Sequence, residues 1–228
     1  MTADSSPSLA ILGATGMVGK QLTSLALAEK RYRTVRTLVR RAVEPHQGLD
    51  QRVIDFDHLE DERDSLAVDD VCCCLGTTIK KAGSEAAFRK VDLDYPLAAA
   101  RAALAAGAKQ YLVVTAVGAD PKSSIFYNRT KGELEAALAE LAFPGGVTVL
   151  HPSLLLGDRQ ESRPGEAVAA TVMRRARFLF AGPLARYRAI EGAEVARALL
   201  RAAERPAGGF RVVEGTALFE LAGAPLAG

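Results

Sequence analysis

Three evenly spaced glycines near the start of the chain constrain its fold more than any other feature. Gly13, Gly16 and Gly19 directly follow four apolar residues, and an amphipathic pattern begins behind them. A buried strand that enters a glycine turn and then a helix is typical of dinucleotide-binding units. The first glycine permits the turn, the second admits a pyrophosphate, and the third lets helix and strand pack closely. The pattern predicts a phosphate-binding helix N-terminus.

Strands and helices alternate along the rest of the chain. The predicted strands are 9–12, 34–39, 52–55, 71–75, 111–115, 147–150 and 210–213. The predicted helices are 17–29, 85–106, 127–141, 166–177, 193–204 and a last one near Leu218. We place Gly107 at the end of the second helix, and Glu133 and Glu135 on the outward face of the third. This order predicts a doubly wound parallel sheet of the Rossmann type, with right-handed crossovers.

The domain organisation follows from the same pattern. The strand signal fades after Gly157, and no segment rich in Gly, Ser or Pro separates two units. We therefore expect a single NAD(P)-binding domain over 1–228, with a core at about 8–156 and a small substrate-side lobe at about 157–228.

Composition narrows the classes of protein that the chain can be. It has 228 residues, 49% hydrophobic and 25% charged, with a net charge of +2, which is ordinary for a globular enzyme or cofactor-binding protein. The N-terminus does not resemble a signal peptide, and no apolar stretch of about 18 residues suggests a membrane span. Cys72, Cys73 and Cys74 are adjacent, so neighbouring thiols point to opposite faces of a strand. We expect no metal site, buried free thiols and a cytoplasmic protein.

The residues after the second predicted strand indicate which dinucleotide is bound. An acid about 20 positions past the glycines favours NAD, whereas arginine accommodates the 2′-phosphate of NADP. Arg40 and Arg41 follow Val39, and the first acid is Glu44. Because a guanidinium can pair with a phosphate through two hydrogen bonds, NADP(H) is the expected cofactor. The alternative is a basic surface turn.

Other strand ends supply further candidates for cofactor contacts. Asp55 could accept from the adenine amino group with Phe56 beside the ring, or could simply form a turn. Gly76 allows close backbone approach, and Thr77 and Thr78 could bond ribose or phosphate. The complete predicted set is Gly13, Thr15, Gly16, Met17, Val18, Gly19, Arg40, Arg41, Asp55, Phe56, Leu75, Gly76, Thr77, Thr78, Tyr127, Lys131, Pro152 and Ser153.

Three residues are candidates for catalysis. Tyr127 and Lys131 are four apart and so share a helical face. A tyrosine in isolation is a poor acid–base catalyst at neutral pH, and a nearby ammonium stabilises the phenolate. Thr115 ends the preceding strand, 12 residues earlier, and could hold a substrate oxygen.

Taken together, these motifs resemble those of a known protein family. The chain resembles the short-chain dehydrogenase/reductase superfamily, in its extended and atypical branches, through the glycine loop, Thr115 and the Tyr127/Lys131 pair. It looks closest to the NADPH-binding group related to the Tat-interacting protein, with likeness over 73–78, 81–85, 131–133 and the nine-residue run 158–166. The resemblance implies that Thr115, Tyr127 and Lys131 are the catalytic positions.

The chain also departs from that pattern. Members of that family often have two serines at the end of this strand, whereas this chain has Thr115-Ala116 and so a single hydroxyl. They also often have Arg-Pro-Gly beside the nicotinamide, where this chain has His151-Pro152-Ser153. The histidine could contact substrate or fill space beside the cofactor. The remaining basic residues could form a solvated or ion-paired face, or meet an acidic substrate; they are Arg159, Arg163, Arg174 and Arg175.

The sequence therefore predicts an NADP(H)-dependent oxidoreductase acting on an unidentified carbonyl/alcohol pair. The alternatives are an NADPH-responsive binding protein without turnover, and an epimerase or dehydratase acting on a nucleotide sugar. We expect a small-molecule substrate and no membrane or nucleic-acid partner, since the basic residues lack interleaved stacking aromatics. A homodimer formed through long helices would also suit this fold.

Overall fold

A parallel sheet organises the computed structural model, which describes residues 5–44, 46–156 and 188–223. Its strands are β1 (Ser8–Leu12), β2 (Thr34–Val39), β3 (Leu49–Val53), β4 (Asp70–Cys73), β5 (Gln110–Val114), β6 (Gly146–His151) and β9 (Phe210–Glu214). The spatial order is β3-β2-β1-β4-β5-β6-β9, and every neighbouring pair is parallel. Two short strands, β7 (Leu155–Leu156) and β8 (Ile190–Glu191), pair separately. The doubly wound α/β fold is confirmed.

Helices cover both faces of this sheet. They are α1 (Met17–Glu29), a 3₁₀ segment (Phe56–Asp61), α2 (Arg63–Leu66), α3 (Ile79–Ala82), α4 (Glu85–Arg89), a π-helical segment (Lys90–Asp94), α5 (Tyr95–Ala105), α6 (Phe126–Ala139), α7 (Gly192–Ala203) and α8 (Gly215–Ala222). Helices α1, α7 and α8 enclose one apolar core. The 3₁₀ segment, α2, α5 and α6 enclose the other. Since both faces are covered, the central strands β1, β4 and β5 are buried over their whole length and are mostly apolar.

The alternation of side chains explains the cysteine run. Cys72 belongs to the core under α1 and α7, and Cys73 to the core under α5 and α6. Cys74 is half-buried, and all three thiols are free. Among the residues in 5–44, 46–156 and 188–223, no three potential ligands group as a metal site would require. Over the same ranges, no helix is long and apolar enough to cross a bilayer.

Several predicted bounds need correction. Strand β3 spans Leu49–Val53, not 52–55, because this edge strand is held by polar pairs such as Arg36–Asp50, 2.7 Å apart, which an apolar pattern does not reveal. Helix 85–106 contains a π-helical segment, and Gly107 follows its end with φ +88°. The predicted helix 166–177 lies outside the described residues.

Candidate functional site

The glycine loop lies between β1 and α1 at the carboxyl edge of the sheet. Gly13 has φ +77°, and a Cβ there would lie 2.6 Å from the carbonyl carbon of Cys74. A Cβ on Gly19 would lie 2.2 Å from the carbonyl oxygen of Gly13. Gly13 and Gly19 are therefore required by close packing of the protein's own backbone.

Gly16 is less tightly enclosed by the protein's own backbone than Gly13 and Gly19. It precedes α1 with φ −79°, and among the described residues the nearest atom to a Cβ built there is the Gly13 carbonyl oxygen, at 3.2 Å. No side chain caps this helix, so the first N–H groups of α1, beginning at Met17, are available to an anion. A Cβ there would need only a small shift of its neighbour, so packing explains this glycine less well than the other two, and its position beside free N–H groups fits a pyrophosphate. Val18 is buried behind this turn, and Thr15 is exposed beside it.

Helix α7 supports the loop from behind. A Cβ on Gly192, the first residue of α7, would lie 2.9 Å from Cγ of Met17. The close approach of Gly192 fixes the start of α1 against a second helix. The turn is consequently packed against α7 on its protein side.

The next two strand ends hold the predicted adenosine contacts. Arg40 and Arg41 follow β2 and are exposed. Asp55 is 65% exposed at its side chain and accepts the N–H of Asp57 at 2.9 Å, so it caps the 3₁₀ segment. Phe56 is 5% exposed and packs edge-on against Tyr95, with 5.6 Å between ring centroids. Turn formation by Asp55 and core packing by Phe56 are thus observed, and their adenine contacts stay predictions.

A buried acid connects the turn after β4 to the predicted catalytic helix. Asp92, in the π-helical segment, accepts the N–H of Thr77 at 2.9 Å. Its other carboxylate oxygen lies 2.7 Å from Nζ of Lys131, and the two side chains are 1% and 3% exposed. A Cβ on Gly76 would lie 3.5 Å from the same carboxylate. Asp92 therefore holds Lys131 against the turn that the sequence assigns to cofactor binding.

The other residues of this region occupy more ordinary positions. Thr78 accepts the N–H of Lys81 and so caps α3, while Leu75 is half-buried. Tyr127 is half-buried, and its ring lies 5.5 Å from that of Phe88. It lies one helical turn before Lys131, as the spacing predicts.

The hydroxyl of Thr115 is already hydrogen-bonded within the protein. It donates to Glu135 at 2.6 Å, and the same carboxylate oxygen lies 2.8 Å from Nε2 of His151. Nδ1 of His151 lies 3.2 Å from Glu214. Burial alone would lower the pKa of His151, but hydrogen bonds and charge from Glu135 and Glu214 together raise it above 6.5.

This network corrects one sequence interpretation. Glu135 was expected to face outward, but it is buried, because it pairs with Thr115 and His151 across the sheet edge. Glu133, by contrast, is half-exposed and forms an ion pair with Arg89. His151 has two carboxylate partners that the sequence does not predict, and its substrate-contact and space-filling interpretations stay predictions.

The last predicted contacts follow β6. Pro152 is buried, and Ser153 is half-buried and donates its hydroxyl to the carbonyl of Arg188. The run 158–166 and the four arginines of the basic group lie outside the described residues. They are Arg159, Arg163, Arg174 and Arg175.

Comparison with known proteins identifies the family. A family described as NAD(P)H-binding matches residues 13–142, which include the glycine loop, Asp92 and Lys131. The chain belongs to the NAD(P)H-binding family. Protein HTATIP2 of Rattus norvegicus is 41% identical over 167 residues, 71% of this chain and 68% of that protein. The mitochondrial protein FMP52 of Debaryomyces hansenii is 31% identical over 202 residues, 86% of this chain and 87% of that one.

Solved structures show the same fold at low identity. MoeE5 in complex with UDP-glucose and NAD has a TM-score of 0.69 at 17% identity, over 94% of this chain and 79% of that one. The oxidoreductase ylbE of Lactococcus lactis has a TM-score of 0.67 at 18% identity, over 95% of both chains. With the family match, these findings confirm the resemblance to atypical short-chain dehydrogenases/reductases and support a nicotinamide cofactor.

Sequence reasoning missed the contacts of Asp92, Glu135 and Glu214 within this candidate site. The spacing of Lys131 and Glu135, four residues apart, could have placed both on one helical face. Nothing in the sequence pattern indicates Asp92, because its position depends on a π-helical segment that a 3.6-residue period does not predict.

Proposed function

We propose that the protein binds NADP(H) and is an oxidoreductase that transfers hydride between the nicotinamide and a carbonyl/alcohol pair. One observation carries this proposal: Asp92 joins Lys131 to the backbone of Thr77. The loop at Gly13 packs on the backbone after β4. The glycine loop, the turn 75–78 and the start of α6 are thus connected by direct contacts, as one dinucleotide site requires.

Each residue has a distinct part in the proposed reaction. When bound, NADP(H) would supply or accept the hydride. Gly16 and the free N–H groups of α1 would bind the pyrophosphate, and Lys131 would bind ribose and stabilise the phenolate of Tyr127. Tyr127 would exchange the proton with the substrate oxygen, and Thr115 would orient that oxygen.

Arg40 and Arg41 support NADP over NAD. Both are exposed directly after β2, where the adenosine ribose of a dinucleotide lies. Among the interactions of the described residues, neither guanidinium has a carboxylate within ion-pair distance. A charged bidentate bond is worth roughly 1.5–3 kcal/mol, or about one to two decades of affinity.

Calorimetry with both cofactors tests this preference. NADPH should bind at least about tenfold more tightly than NADH, and the double variant Arg40→Ala/Arg41→Ala should lose that advantage while its NADH affinity stays. The matched control is Arg205→Ala, an exposed arginine before β9 at the opposite edge of the sheet. Equal affinities in the unmodified protein would refute the NADP assignment.

A second candidate function is an NADPH-responsive binding protein without turnover. Two observations favour it: the ammonium of Lys131 is neutralised by Asp92, and the hydroxyl of Thr115 is committed to Glu135. Oxidation of NADPH by any carbonyl compound would decide for the enzyme. A protein partner whose affinity changes with NADPH would decide for the alternative. The cytoplasmic location stays a prediction, and the fungal relative is named as mitochondrial.

A further inference from the structure

A chain of four side chains runs from the proposed substrate position to the protein surface. Thr115 hydrogen-bonds to Glu135 at 2.6 Å, Glu135 to His151 at 2.8 Å, and His151 to Glu214 at 3.2 Å. Thr115, Glu135 and His151 are buried, whereas the Glu214 side chain is 41% exposed. The members come from the end of β5, from α6, from β6 and from β9.

The chemistry of these groups fixes the direction of each hydrogen bond. An ionised carboxylate can only accept, so the hydrogen of the shortest bond belongs to Thr115. Both ring nitrogens of His151 face carboxylates, and both donate when the ring is a cation. The charged groups facing the ring are Glu135 from α6 and Glu214 from β9; Lys131, one turn before Glu135, is paired with Asp92.

A threonine hydroxyl has a single hydrogen. When that hydrogen is committed to Glu135, the oxygen of Thr115 offers a ligand only lone pairs. A carbonyl oxygen also presents lone pairs and would be repelled, whereas an alcohol can donate its O–H. When the ring of His151 is positive, its Nε2 donates to the same oxygen of Glu135, so this oxygen accepts both hydrogens.

We propose that Glu135 and His151 fix the Thr115 hydroxyl as a hydrogen-bond acceptor toward the cofactor edge, so that the site prefers a ligand hydroxyl over a carbonyl oxygen. Glu135 and His151 are positioning residues, since they act through Thr115. The inference rests on the proposed function, which puts the ligand oxygen at Thr115. It assigns the alcohol as the better-bound partner of the carbonyl/alcohol pair.

The first test uses NMR to observe the ring protons of His151 and the hydroxyl proton of Thr115 in the protein without a ligand. The pKa of His151 is raised above its ordinary value of 6.5, so both ring nitrogens should still carry protons at that pH. The exposed His46 and His58 supply reference signals. The Thr115 hydroxyl proton should exchange slowly with water, and Glu135→Leu, which removes the acceptor and the charge, should abolish both features. A singly protonated His151 at pH 6.5, or a rapidly exchanging Thr115 hydroxyl, would overturn the inference.

The second test uses cyclohexanol and cyclohexanone, which have similar shapes, on protein saturated with NADP⁺. Saturation-transfer NMR should favour the alcohol by about tenfold in affinity, the value of one hydrogen bond. Glu135→Leu and Thr115→Val should both remove the preference. Equal signals, including no signal from either probe, overturn it.

Calorimetric titration of the same samples with NADPH keeps the two proposals apart. A protein that does not bind NADPH refutes the proposed function, and the ring-proton signals of His151 still decide the direction of the Thr115 bond. A protein that binds NADPH but shows fast exchange at Thr115 retains the function and loses this inference.

Discussion

The buried ion pair between Asp92 and Lys131 should make a large contribution to the free energy of unfolding of the protein. The side chains are 1% and 3% exposed and their charged atoms lie 2.7 Å apart. Removing one partner of such a pair leaves a buried charge without compensation, which costs about 3–5 kcal/mol. We therefore expect Asp92→Asn and Lys131→Met each to lower the free energy of unfolding by about that amount.

The double variant separates charge pairing from ordinary packing. Asparagine keeps an acceptor for the N–H of Thr77, and methionine fills much of the volume of lysine. Because no uncompensated charge remains, Asp92→Asn/Lys131→Met should lose no more stability than either single variant.

Urea unfolding at equilibrium measures the free energy of unfolding of the unmodified protein, the two single variants and the double variant. Since a domain is stable by only about 5–15 kcal/mol, a single variant that fails to fold beside a folded double variant supports the same conclusion. Losses that simply add in the double variant would refute the reasoning, because independent sites add.

Three further predictions follow from the site. Gly16→Val should abolish NADPH binding by calorimetry and lower the thermal midpoint only modestly, because the backbone there has φ −79° and the Gly13 carbonyl oxygen, 3.2 Å from an added Cβ, must shift by only a few tenths of an ångström; normal binding by the folded variant would contradict the pyrophosphate assignment. Tyr127→Phe should lower turnover of any accepted carbonyl by about 10²–10⁴ and leave NADPH affinity unchanged; full activity would exclude Tyr127 as the acid–base group. The raised pKa of His151 contributes stability that is complete below pH 6.5 and is lost as pH rises through the folded pKa; urea titrations should show this loss in the unmodified protein and not in His151→Gln.

Local signals predicted the fold well where they were strong. The glycine loop defines the start of α1, and a β-branched run defines β2, so both elements have the predicted bounds. Strand β3 was misplaced because its polar residues pair with neighbouring side chains, as Asp50 does with Arg36. Short helices such as α2 are too brief to establish a period.

The site was predictable only where one residue's chemistry was sufficient. Lys131 and Thr115 were found from spacing and from a strand end, but their partners were not. Glu135 was taken as outward because a charged residue on a helix is usually solvated. Its burial depends on His151, which is adjacent only after β5 and β6 have paired. Partners from distant segments have no local signature.

The π-helical segment gives one continuous helical run two rotational registers. In a regular α-helix each residue turns the chain by about 100°, and the wider turn at 90–94 changes the phase between the residues before and after it. Before it, Phe88 packs against the ring of Tyr127; after it, Ala99 and Ala103 pack in the core beneath the sheet. Deleting one residue from this segment would remove the change of phase. The helix could then keep the contact of Phe88 with Tyr127 or the packing of Ala99 and Ala103 in the core, but not both.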